Sequence, residues 1–132
     1  MEDKKIMANL PKPKLNIAES NKLHIMIEQQ RIINAQYYNN HWFGWLPKHM
    51  RCLLLCVAMI MEVCEYINWL PWKWWRKSQD QTINEVEAKY ELIDILHFLI
   101  SLCLEHGMNE EEIYTIYMTK AQENIRRQQE GY

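Results

Sequence analysis

The stretch CLLLCVAMIMEVCE, residues 52–65, decides the fold. Its apolar run, residues 52–61, holds no Gly or Pro, stops at Glu62, and is too short to span a bilayer. Glu62 and Glu65 follow at i and i+3, which places both carboxylates on one helical face. A second pair, Glu91 and Asp94 in ELID, has the same spacing inside another apolar stretch, with 25 residues between Glu65 and Glu91. Two such helices packed antiparallel would aim four acid groups at one point. Carboxylates sharing a site repel one another, and burial would neutralise some of them unless cations hold them together. Clustered oxygen ligands suit Mg²⁺, which usually shares its shell with water and substrate phosphates. The pattern therefore points to metal-assisted chemistry on a phosphoanhydride. The alternative is a set of surface acids in ordinary helical ion pairs, but Met61, Val63, Cys64 and Ile67 surround the first pair with apolar neighbours.

Working outward, 132 residues suffice for one domain with a core. Only three Gly and four Pro among many Leu, Ile, Met, Glu, Lys and Gln argue for an all-α fold. A net charge of −2 gives no general affinity for nucleic acid. The N-terminus lacks the apolar core of a signal peptide. No nucleic-acid partner and no membrane are expected, and the expected location is the cytoplasm, or the host cytoplasm if the chain is viral. Cys52, Cys56, Cys64 and Cys103 form no C-x-x-C pair and lie among apolar residues, as free thiols acting as small hydrophobes do.

Residues 1–18 read as a flexible arm, and residues 19–132 as a compact four-helix bundle. A first helix begins near Ser20 or Asn21 and reaches about Gln36, followed by an aromatic loop, YYNNHWFGWLP, over residues 37–47. A second runs from about Lys48 to Trp69, before Pro71. Thr82 with Glu85 has the form of a capping box, so a third helix is expected from Ile83 to about His106, with Gly107 at its end. Asn109 with Glu112 opens a fourth, reaching about Gln128. The second and third helices are apolar nearly all round, which predicts burial and points to a dimer or a tightly wrapped centre.

Other residues could handle a nucleotide. Tyr117, Lys120, Asn124 and Arg127 share one face of the fourth helix, where a cation, an amide and a guanidinium could grip phosphates. A solvated helix end is the plainer reading. In WKWW, residues 72–75, Lys73 is a candidate phosphate ligand and an indole such as Trp75 could stack on a base. Anchoring a loop to the bundle is the plainer role there. His97 follows Asp94 by three, but a second matching His is missing, so a core histidine bonded to a neighbour fits better than a metal ligand.

These motifs, in this order, resemble the dimeric dUTPase branch of the all-α nucleoside triphosphate pyrophosphatase (MazG-like) superfamily. The resemblance covers roughly residues 55–132: Glu62-x-x-Glu65, then Trp72-Lys73-Trp74-Trp75, then the VDIWHF-like stretch at residues 92–98. The closing motif comprises Tyr117, Lys120, Asn124, Arg127, Gln128, Gly131 and Tyr132. It implies a homodimer that converts dUTP to dUMP and pyrophosphate with two or more Mg²⁺ ions, Mn²⁺ being able to substitute. Glu62, Glu65, Glu91 and Asp94 would bind the metal, and Glu65 would also activate the attacking water. Lys120, Asn124 and Arg127 would hold phosphates or sugar, helped by Lys73, with Trp75, Tyr117, Gln128 and Tyr132 also at the substrate.

Family members place a Gln and an Asn four apart against uracil, and Gln30 and Asn34 fit that spacing. An amide suits the task because its donor and acceptor can pair with the edge of the base. Two departures matter. Asn68 stands where an acid often follows the second Glu of the pair. The chain also ends at the GY motif, as does a phage branch that cleaves dCTP as well as dUTP, so a dCTP/dUTP or broader house-cleaning enzyme is the alternative. A non-catalytic helical interaction protein is the remaining, different class.

Overall fold

The computed structural model describes residues 21–77 and 82–131. The expected arm over residues 1–18, and Tyr132, lie outside the described residues. Among those residues are four α-helices and no strand: α1 (Lys22–Asn40), α2 (Lys48–Asn68), α3 (Glu85–Glu105) and α4 (Glu110–Gln129). A 3₁₀ turn, Trp42–Trp45, joins α1 to α2. The all-α four-helix expectation holds.

Helices α2 and α3 make the most extensive pairing, and they run antiparallel. At one end the Asn84 amide donates to the Trp69 carbonyl (3.3 Å), and the Trp69 indole N–H donates to Glu91 (3.1 Å). At the other end Arg51, near the start of α2, forms an ion pair with Glu105, the last residue of α3. This antiparallel pairing brings the two acidic motifs, each near a different end of its own helix, to the same level.

Local signals explain most boundaries. Asn109 Oδ1 accepts the Glu112 amide at 2.9 Å and caps α4, as expected. Three glutamates in the first turn of α4 and Arg126 and Arg127 in its last complement the helix dipole. Gly107 ends α3 at φ +69°, with bonds from its own amide to Leu104 O and from Met108 N to Cys103 O. That pair of bonds is a Schellman closure, which favours Gly at the left-handed position.

Two boundaries differ from expectation. Helix α3 starts at Glu85, capped by Asn84 accepting from the Glu87 amide, and not at a capping box on Thr82. The segment expected as a loop from Tyr37 is one further turn of α1, to Asn40, followed by the 3₁₀ turn. The added turn is held from outside: Tyr38 hydrogen-bonds Glu105, and the Arg51 guanidinium lies 5.5 Å over its ring. Tertiary contact overrides the weak helical preference of Tyr and Asn there.

The core of the single chain is small. Ile27, Ala88 and Ile100 are its buried apolar residues among those described, joined by Gln30 and Ser101. The expected burial of α2 and α3 on all sides is not met within one chain. On α2, Leu53, Val57, Ile60 and Ile67 form an exposed stripe, with Ile60 59% accessible. One chain supplies neighbours for only one side of each helix.

Candidate active site

The i, i+3 spacing on α2 and α3 and their antiparallel pairing bring carboxylate oxygens of Glu62, Glu65 and Glu91 within 4.8 Å of one another. Asp94, one turn further along α3, is not in that tight trio but lines the adjoining cleft together with Glu62. Burial raises the Glu62 carboxyl above its usual range, and the charges of Glu65, Asp94 and Glu91 and a hydrogen bond with Glu91 raise it further. Burial, then the charge of Glu91, also raises Asp94, while His97 acts in the opposite sense. Burial and mutual like charge thus act in the same sense on these acids, burial being the larger cause. The donor set, all carboxylate oxygens on two rigid helices, fits a divalent hard cation.

Beside the cluster lies a cleft of about 620 Å³. Glu62 and Asp94 line one part of it, and Gln30, Asn34 and His97 another. Tyr37 at the end of α1, and Trp42 and Phe43 from the 3₁₀ turn, add aromatic surface. Gly44 lets that turn sit close to α1, since a Cβ there would collide with the Tyr38 carbonyl. The Tyr38 and Phe43 rings meet edge to face at 5.5 Å.

The polar wall is connected. His97 Nδ1 lies 2.6 Å from Gln30 Oε1, Gln30 Nε2 donates to Asn34 Oδ1 at 3.0 Å, and the Ser101 hydroxyl donates to the same oxygen at 3.1 Å. Gln30 is buried, so its amide is fixed by partners and not by solvent. The expected bonding of His97 to a neighbour is present, but its ring is exposed in the single chain and lines the cleft, so it is not a core histidine.

The structure does not bring the other expected contacts to this cleft. Tyr117, Lys120, Asn124, Arg127 and Gln128 are exposed on α4, none of which lines it. Arg127 pairs with Glu123 on its own helix. Lys73 sits 5.4 Å over the Trp72 ring and, with Asn68 and Arg76, lines a separate recess of about 310 Å³. Trp75 packs edge to face against Trp72 and Trp74, so these rings chiefly anchor one another. Sequence reasoning missed Ser101 and the Trp69–Glu91 contact, because pairings 67 and 22 residues apart leave no local signal.

Comparison with known proteins follows the same segments. A family model described as dUTPase matches residues 22–109, which span α1 to the end of α3 and include all four acids, Gln30 and Asn34. A dCTP pyrophosphatase of Enterobacteria phage T4 is 38% identical over 86% of this chain and 84% of its own length. A dCTP pyrophosphatase of Enterobacteria phage LZ5 is 39% identical over 48% of this chain and 41% of its own. A DNA replication protein of phage T4 is 37% identical over 77% of this chain but 34% of its own length. No solved structure matches the chain.

Proposed function

The chain belongs to the dimeric all-α dUTPase family, and from that premise we propose that it hydrolyses dCTP and dUTP to the nucleoside monophosphate and pyrophosphate. The observation that carries this reading is the single cleft joining an acidic cluster to an amide pair under aromatic cover. The expectation of dUTP as the preferred substrate gives way to both pyrimidines, because the phage relatives are dCTP pyrophosphatases.

Glu62, Glu65, Glu91 and Asp94 would hold Mg²⁺, which when bound neutralises triphosphate charge and acidifies water. Glu65 is the most exposed of the three clustered glutamates and is the group assigned to take the proton from the attacking water. Water adds across the phosphoanhydride between the α and β phosphorus atoms, and its second proton goes to solvent. Trp69 holds Glu91 through the indole N–H, limiting how that carboxylate can turn. The base would lie against Tyr37, Trp42 and Phe43, with its polar edge toward Gln30 and Asn34.

A second copy of the chain is the proposed cover for the stripe of Leu53, Val57, Ile60 and Ile67. Lys120, Asn124 and Arg127 remain the proposed phosphate and sugar contacts. None of them lines the cleft in one chain, so in this reading they reach the substrate through assembly or on its binding. Glu65→Gln tests the chemistry: turnover should fall at least about 100-fold while a non-hydrolysable nucleotide still binds. Full activity in that variant would refute the assignment.

A further inference from the structure

We propose that His97 and Ser101 position the amides of Gln30 and Asn34, and that reversing this hydrogen-bond chain lets the same cleft accept either uracil or cytosine. The inference rests on the dCTP/dUTP reading above and explains how one wall could serve two bases of opposite polarity. At ring position 4 uracil carries an accepting oxygen and cytosine a donating amine. At position 3 uracil has N–H and cytosine a bare nitrogen. A fixed amide complementary to one base opposes the other at the same position.

The chain as found has one direction. Gln30 Oε1 can only accept, so His97 donates from Nδ1 across 2.6 Å. Gln30 Nε2 then donates to Asn34 Oδ1, and Ser101 donates to the same atom. Both acceptor positions of that oxygen are used. The Asn34 Nδ2 group makes no hydrogen bond among the described residues, and Asn34 lines both the cleft and the neighbouring recess beside Arg51 and Glu105; the proposal gives these two donors to the base.

Every link can be reversed in place. An amide oxygen and NH₂ group are close to the same size, so each amide can turn over without moving its neighbours. In the other tautomer His97 Nδ1 accepts from Gln30 Nε2. Gln30 Oε1 then accepts from Asn34 Nδ2, whose second hydrogen goes to the Ser101 oxygen, because a hydroxyl serves as donor or acceptor. Three bonds are made in either direction. What changes is that Asn34 now offers its oxygen, an acceptor, to the base. Ser101 is 2% accessible and Gln30 5%, so water cannot stand in for a missing link and the chain must turn as a unit.

The test reads the tautomer directly. Protein carrying ¹⁵N-histidine is saturated, with Mg²⁺ present, by α,β-imido analogues of dUTP and then dCTP, and His97→Gln identifies the His97 signals. The protonated and bare ring nitrogens of His97 should exchange places between the two complexes. If both analogues bind and the tautomer is the same, the inference is overturned while the substrate reading stands. If neither binds, the substrate reading falls and takes the inference with it.

Gln30→Glu gives a second readout. A carboxylate only accepts, so it holds His97 as donor and turns Asn34 outward as acceptor. The ratio of kcat/KM for dUTP to that for dCTP should move about tenfold or more. An unchanged ratio would contradict the coupling.

Discussion

Arg51 grips Glu105 through two N–H···O bonds of 2.8 and 2.9 Å, at the opposite end of the α2–α3 pair from the acidic cluster. The same guanidinium donates to the Leu46 carbonyl, and Tyr38 bonds the same carboxylate. One charge pair therefore ties together the end of α1, the turn before α2, and both site-bearing helices. Because the Glu105 side chain is only 4% accessible, removing its partner leaves a buried charge. Arg51→Met should cost about 3–5 kcal/mol by urea unfolding. Adding Glu105→Leu to that variant should recover part of the loss. A cost below about 1 kcal/mol would show that the clamp is not structural.

Gly44 should be intolerant of a side chain. Gly44→Ala puts a methyl group against the Tyr38 carbonyl, so the 3₁₀ turn must shift and carry Trp42 and Phe43 with it. Overpacking of this kind costs about 1–3 kcal/mol. The expected kinetic effect is a raised KM for both nucleotides with a smaller change in kcat, because the acids are untouched.

The acidic cluster should make stability depend on pH in a defined sense. Glu62 and Asp94 have folded pKa values above their ordinary 4.5 and 3.8, so the folded chain binds their protons more tightly than the unfolded chain does. Their favourable contribution is complete below those ordinary values and is lost as pH rises through the raised ones. Metal-free protein should therefore lose stability across that window, and Glu62→Gln should flatten the loss. Saturating Mg²⁺ should offset it at higher pH, since a ligand of the native state raises its melting temperature. Thermal unfolding at several pH values, with and without the ion, measures all three.

The exposed stripe on α2 should be an interface between copies. Ile60→Glu places a charge in the middle of it and should convert a dimer to a monomer by light scattering, with helical content retained. A wild-type monomer that is fully active would contradict the assembly proposed here.

Much of this was legible because the decisive features are periodic. Residues 52–65 and 91–94 carry helix, apolar face and acid spacing in one local pattern, and antiparallel pairing is what sets the two acid pairs at one level. Caps were less decisive: Thr82 with Glu85 and Asn84 with Glu87 satisfy the same spacing, and only the observed bond to the Glu87 amide selects the second. The cleft wall was half legible. Gln30 and Asn34, one turn apart, are implied by the family resemblance, whereas His97 and Ser101 reach them from 67 residues away. The apolar pattern of α2 predicts burial that one chain does not supply, because hydrophobicity carries no information on which surface meets it.

The most direct test of the central claim is pyrophosphate release from dCTP, dUTP, dTTP and dATP, with and without Mg²⁺. Metal-dependent cleavage of dCTP and dUTP, with little of the other two, is the predicted result. Cleavage of neither pyrimidine under any metal condition would contradict it.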